Sequence, residues 1–341
     1  MDHVAIDLGG RESQVCVRSA QGAILEEKRW PTRRLSDYLA QRPPSRVVVE
    51  TCAEGFFVAD LAAKHGHEVR VVPASLVRSL GVGERGMKTD KRDARKLSEV
   101  SARIDLPSVH VPSTDSRQLK TQLGMREALL GSRTMLINTV RGWMRAEALA
   151  LPKSADAFVG RVREVLKGTV PTYVERQLQM IDALSEQIAQ ADKELMERAK
   201  KHPVCPRLMS VPGIGPITSL QFVAVIDDRT RFKTAHDVEA YLGLTPGQDS
   251  SSNKQRTTGI TKAGSSPMRR CLVQAAWSAR RARGKHPMVE WSLEVEKRRG
   301  KRIAIVAFAR KLAGVLFALW RDGTIYNPRE GARPSAPPLS V

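Results

Sequence analysis

A chain of 341 residues is long enough for two or three units, each with its own core, and an apolar fraction of 41% excludes a mostly disordered protein. The 56 Lys and Arg against 36 Asp and Glu leave a net charge of +20, the footprint of a protein that binds phosphate backbones, and no amphipathic anchor segment points to a membrane surface instead. Cys16, Cys52, Cys205 and Cys271 are scattered without metal-ligand spacing, no apolar run reads as a bilayer span, and the start lacks a signal-peptide layout; together these predict reduced thiols in a cytoplasmic protein with neither zinc site nor disulfide frame.

In chain order, β-branched runs at 3–7, 13–18 and 23–29 predict three strands joined by turns at Gly9-Gly10 and Gln21-Gly22. A helix from Leu35 to Gln41, a strand over 46–50, a helix over 55–65, a strand over 68–72 and a helix opening near Thr89 follow. A three-stranded meander followed by crossover units is the layout of the ribonuclease H-like fold, a mixed α/β sheet with helices on its faces, here over residues 1–110. A run of helix formers extends from Ser113 to about Leu149, and Pro152 and Pro171 bracket a shorter helix. From Thr172 to Lys201, Leu178, Ile181, Leu184, Ile188, Ala191 and Leu195 recur at heptad spacing. Residues 111–205 therefore read as a helical, antiparallel coiled-coil linker, an arm that offers a place for an oligomer contact, or else as a plain helical hairpin packed on its own domain. The third unit, 206–326, is expected to be mainly α-helical. It opens with VPGIGPITS, which fits either a phosphate-binding hairpin or an ordinary tight turn between helices. A helix, the loop GLTPGQDSSSNKQRTTGITKAG and two basic helices beginning near Met268 and Lys301 follow. Residues 327–341, with four prolines, read as a disordered tail.

Acidic residues fall at telling places. Asp7 ends the first predicted strand and Glu50 the fourth, while Asp90 and Asp93 lie three apart on one face at the start of a predicted helix. If the first and fourth strands are neighbours and the last helix crosses them, the four carboxylates converge. Like charges that close repel unless cations sit between them, and oxygen ligands suit Mg²⁺. Two such ions would clamp the attacking and leaving oxygens of a phosphoryl transfer. Each acid also has an ordinary role: Asp90 as a helix cap, Asp93 paired with Lys96 or Arg92, Asp7 closing a strand before a turn. Glu54 competes with Glu50 but lies past the strand end.

Ser250, Ser251 and Ser252 sit among Lys254, Arg256, Lys262, Arg269 and Arg270. A hydroxyl among cations can reach a phosphate, and the cations would bind the nucleic acid and offset transition-state charge. By chemistry alone, serines beside glycines are more often plain loop.

The segments AIDLGG, VVVETCAEG, KTDKRDARKL, VPGIGPITS and GLTPGQDSSSNKQRTTGITKAG, followed by MRRCLVQAAW, stand in one order over residues 1–320. Together they resemble the DEDD-type insertion-sequence transposases, the recombinases guided by a bridge RNA. The resemblance implies a RuvC-like N-terminal domain of the ribonuclease H type, a coiled-coil linker and a C-terminal transposase domain carrying a serine. It places the metal-binding and catalytic DEDD set on Asp7, Glu50, Asp90 and Asp93, with Mg²⁺, two ions, as cofactor. It places the nucleophile at Ser251, counted from Pro246. Ser252-Asn253 stand where the family tends to have two glycines, so Ser250 and Ser252 remain competitors. The implied partners are DNA (element ends and target), a guide RNA and further copies of the chain as dimer or tetramer, one of which supplies the metal site to the serine of another.

Three rivals remain at this point. A metal-dependent nuclease of the same fold would need the carboxylates but no serine adduct. A non-catalytic DNA-binding remnant would need neither. An actin-like kinase or ATPase shares AIDLGG, but no second phosphate motif follows and so basic a surface has little use there.

Overall fold

The structure, a computed structural model, describes residues 1–79, 90–251, 254–281 and 286–328, with backbone alone at 78–79, 90–91, 248–251 and 254–258. It forms two compact units, Met1–Pro112 and the chain from Ser113 onward.

In the first unit, β1 (His3–Asp7), β2 (Glu12–Arg18) and β3 (Ile24–Pro31) form the expected antiparallel meander, then α1 (Leu35–Ala40), β4 (Arg46–Glu50), α2 (Gly55–Lys64) and β5 (Glu68–Val72) follow. Two more helices, α3 (Ala74–Ser79) and α4 (Asp90–Arg103), close the unit. The strand order is β3-β2-β1-β4-β5, with β4 parallel to both β1 and β5. Because side chains alternate along a strand, β1 and β4 each feed two cores. Val4, Ile6, Val47 and Val49 pack with Leu39, Val58 and Ala62 of α1 and α2. Ala5 and Val48 face the other way, against Val77 of α3 and Leu97 of α4. Burial on both faces explains why VVV can stand unbroken in β4.

The second unit begins with α5 (Thr114–Ala146), capped by the Ser113 hydroxyl, which accepts from the Ser116 amide. The short α6 (Phe158–Val165) and the long α7 (Thr172–Lys201) follow. Arg126 pairs with Asp192, Arg198 donates to Gln122 at 3.1 Å and Arg133 to Ser185 at 3.4 Å, so α5 and α7 run antiparallel. One end of the pair (Leu119, Leu123, Leu195, Ala199) joins the main core of this unit. The other end closes a separate core with α6 around Met144, Phe158 and Leu178. The hairpin is thus packed on its own unit at both ends rather than standing as a free arm.

Beyond it lie α8 (Cys205–Leu208), α9 (Pro216–Ile226), α10 (Ala235–Tyr241), a hairpin of β6 (Pro246–Ser251) and β7 (Lys254–Ile260), and the helices α11 (Ser266–Arg281), α12 (Pro287–Arg299) and α13 (Lys301–Asp322). Three differences from the sequence reading stand out. The serine-rich stretch is a two-stranded ladder, invisible to periodicity because its residues are polar on both faces. The two expected basic helices are three, α12 having been missed. The helix starting at Lys301 is the core helix: Ile305, Phe308, Leu312, Leu316 and Phe317 are buried. It is also long and apolar enough to cross a bilayer by length and composition, which corrects the expectation of no such run; burial in this core accounts for its character. The tail from 329 lies outside the described residues.

Candidate active site

Asp7 follows Ile6, which pairs with Val49 across the parallel β1–β4 ladder, so Asp7 and Glu50 end neighbouring strands at the same level. Adjacent strands lie about 4.8 Å apart, and both acids share the face of Ala5 and Val48, the face that α4 covers. The direction of α4 is set by three side-chain contacts. Ser101 meets His3 Nδ1 at 2.8 Å, and Ser98 meets Cys16 Sγ at 3.2 Å and accepts from Arg18 Nε at 3.3 Å, with Cys16 itself opposite Ala5. The helix therefore runs against β1. From Ser101 back to Asp93 is eight residues, about 12 Å of helix, and from His3 to Asp7 is about 13 Å of strand, which brings the α4 N-terminal turn over the strand ends. Asp93 is buried there, on the same stripe as Leu97. Lys96, one of the two cations the sequence offered Asp93, lies 3.8 Å from Glu99. The side chain of Asp90 lies outside the described residues, although its backbone opens α4.

The chain turns sharply after Glu50. A Cβ at Gly55 would stand 2.7 Å from the Glu50 carbonyl oxygen, so the glycine of VVVETCAEG lets α2 begin tight against the strand end. Glu54 precedes that helix and is exposed, whereas Glu50 is half-buried.

Ser250 and Ser251 occupy the last two positions of β6, opposite Gln255 and Lys254, and Arg256 faces Asp249. Their side chains, with those of Lys254 and Arg256, lie outside the described residues, as do Ser252 and Asn253 altogether. The frame that holds the hairpin is described in full. Thr261 N–H donates to the Thr245 carbonyl at 2.9 Å and Lys262 N–H to that of Gly243 at 3.1 Å. Gly243 and Gly264 both have positive φ, and a Cβ at either would collide with backbone of the opposite segment. Arg269, one turn into α11, donates from Nη1 to the carbonyls of Leu242 (3.2 Å), Ala263 (2.7 Å) and Gly264 (3.1 Å). Of the other predicted phosphate ligands, Arg270 pairs with Glu127 at 2.9 Å, and Lys262 is exposed with a φ of 56°. Sequence reasoning missed the clamping role of Arg269; the paired glycines on either side of the hairpin were the only signal for it.

Two family models match. The DEDD_Tnp_IS110 model, described as a transposase, covers residues 4–147, and the model of the transposase IS116/IS110/IS902 family covers residues 205–288. The transposase for insertion sequence element IS1328 of Yersinia enterocolitica is 28% identical over 95% of this chain and 98% of its own length. A probable family 20 transposase of Pseudomonas aeruginosa is 26% identical over 96% of this chain and 99% of its own. The transposase for insertion sequence element IS1111A of Coxiella burnetii is 26% identical over 93% and 88%.

The chain belongs to the IS110/IS116 family of DEDD transposases. It is accordingly an enzyme that acts on DNA, and the kinase reading falls away. A DEDD transposase domain typically uses a divalent metal ion. The donors here suit one: Asp7, Glu50 and Asp93 offer only carboxylate oxygens, as hard cations prefer. Among the described side chains alone, no group of three or more His, Cys, Asp or Glu completes a metal site.

Proposed function

We propose that this transposase cuts and rejoins DNA through a covalent phosphoserine link made by Ser251, with a RuvC-like carboxylate set assisting and a bridge RNA choosing the sites. The observation that carries the reading is the place of Asp7 and Glu50 at the ends of two neighbouring parallel strands, just beyond the Ile6–Val49 pair, with the buried Asp93 at the start of α4. A ribonuclease H-type sheet of order 3-2-1-4-5 supports it, as does the rigid frame beneath the serine hairpin.

Asp7, Glu50, Asp93 and Asp90 would hold the divalent ions, Mg²⁺ by their donor chemistry, which when bound offset charge on the reacting phosphate. The Ser251 hydroxyl attacks a backbone phosphorus and loses its proton. The phosphodiester bond to the adjoining sugar breaks, and the leaving hydroxyl is protonated. The resulting phosphoserine ester keeps the bond energy that hydrolysis would lose, and attack by the hydroxyl of another strand reverses the sequence and frees Ser251. The glycine-and-arginine frame holds the hairpin still, so that the serine arrives in line. A guide RNA held by backbone charge and shape would supply sequence choice.

The test is trapping on a denaturing gel, with element-end and target DNA, Mg²⁺ and RNA transcribed from the element's flank. A protein–DNA adduct absent in Ser251→Ala is expected, with Ser250→Ala retaining it. Asp7→Asn, Glu50→Gln and Asp93→Asn should each lower recombination by about 100-fold or more while leaving thermal unfolding nearly unchanged. Metal-dependent cleavage without adduct, undiminished in Ser251→Ala, would instead establish a RuvC-like nuclease that uses the carboxylates alone.

A further inference from the structure

Beside the foot of the serine hairpin, α5, α9 and the start of α11 enclose a cleft of about 480 Å³. That is within the range of pockets that take small organic ligands, about 300 to 1000 Å³. Its walls are apolar where Ile217, Val225 and Tyr241 line it, yet it contains a polar group that the fold does not use. Gln221 is 8% exposed, stands in the middle of α9, and its side-chain amide has no hydrogen-bond partner among the described residues. The amide offers one acceptor and two donors, enough to meet a ligand edge that presents both a donor and an acceptor.

Lys120, from α5, lines the same cleft and makes no ion pair or hydrogen bond among the described residues. Burial holds its amine below the usual lysine range, against the opposing pull of Asp227. The other charges at the cleft are already matched: Arg270 to Glu127 at 2.9 Å, and Arg126 to Asp192. The N-terminus of α11 offers little to an anion, because Ser265 caps the Met268 amide at 3.3 Å and Pro267 has no N–H. Lys120 is thus an uncommitted cation, and Gln221 an uncommitted and largely buried amide, at this cleft.

We propose that this cleft receives a single unstacked nucleotide of a bound strand, its base between Ile217 and Tyr241 with an edge on the Gln221 amide and its phosphate on Lys120. A purely phosphate-binding pocket would not need the apolar walls or the amide, and a purely apolar ligand would leave both Lys120 and Gln221 unpaired. Proteins that hold single strands commonly take bases out of the stack, seat them against aromatic side chains and hydrogen-bond their edges. Here it would anchor the strand next to the hairpin that carries Ser251. The inference rests on the nucleic-acid reading above but not on the serine chemistry.

The experiment titrates the full-length protein by calorimetry with the nucleoside 5′-monophosphates, in ribo and deoxy forms, and with ribose 5-phosphate and inorganic phosphate. At least one nucleotide is expected to bind about tenfold or more tighter than ribose 5-phosphate, a difference of about 1.4 kcal/mol. Gln221→Met, close in volume, should abolish that preference, Lys120→Met should weaken nucleotide and ribose 5-phosphate alike, and Ile217→Trp should fill the cleft and remove binding. The sugar form that binds tighter assigns the strand to guide RNA or to DNA. Equal binding of nucleotides and ribose 5-phosphate by the wild-type protein, or a base preference intact in Gln221→Met, would overturn the proposal. Duplex affinity and adduct formation, followed on the same variants, separate this outcome from failure of the serine mechanism: Ser251→Ala should bind nucleotides as the wild type does.

Discussion

Arg269 spends one guanidinium nitrogen on three backbone carbonyls drawn from both segments that flank the serine hairpin. Charge-assisted bonds of this kind are about twice as strong as neutral ones, and the shorter lysine stem would hold its ammonium short of the place that Nη1 occupies between the three carbonyls. Arg269→Lys is therefore expected to lower adduct formation by about tenfold or more while changing DNA affinity less than about twofold. Parallel trapping and fluorescence-anisotropy measurements would check this. If Arg269 served mainly as a phosphate ligand, the lysine would preserve the chemistry, and Arg269→Gln would weaken affinity and flatten its salt dependence. In the sequence Arg269 and Arg270 are an undifferentiated basic pair. The fold separates them, giving one to the hairpin frame and the other to Glu127 of α5.

At the scale of elements, the turn of VPGIGPITS shows how a motif can be read two ways until its neighbours are known. Gly213 has a φ of 85°, and a Cβ there would press on the α11 backbone, 2.9 Å from the Ala279 nitrogen. Close packing of the turn against α11 is thus sufficient reason for this glycine, without a phosphate. Gly213→Ala should destabilise the second unit by about 2 to 4 kcal/mol, combining an unfavourable backbone conformation with overpacking, as urea unfolding would show. A cost below about 1 kcal/mol would mean that α11 can retreat. The α5–α7 pair makes a related point. Heptad spacing in α7 correctly marks its buried stripe (Leu178, Ile181, Ile188, Leu195), but the partners of that stripe lie within the same unit, on α5 and α6.

For the whole molecule, the excess of 20 positive charges is the property that local structure leaves largely unspent. Many arginines do pair: Arg42 with Glu26, Arg163 with Glu175 and Arg280 with Glu296. The surplus requires a polyanion, and displacing its counterions makes affinity depend on salt. DNA affinity should fall about 1000-fold or more between 50 and 200 mM salt, as for about six to ten phosphate contacts. A flat dependence over that range, measured by anisotropy, would show that the charge is not used on a backbone.

By itself the sequence determined the mixed sheet, the two long helices and the positions of Asp7 and Glu50, because these depend on local periodicity and on where apolar runs stop. Three strands, a crossover and a run of VVV ending in an acid can be read without knowing what packs on them. Tertiary structure alone decided the rest. It turned a polar serine stretch into a hairpin through backbone bonds that leave no periodic signal. It made α13 a core helix despite its basic start, because burial depends on neighbours rather than on the first two residues. It also brought Lys120, Gln221 and Tyr241, far apart in the chain, to one cleft. Such meetings are made by helix packing, and no spacing along a single chain records them.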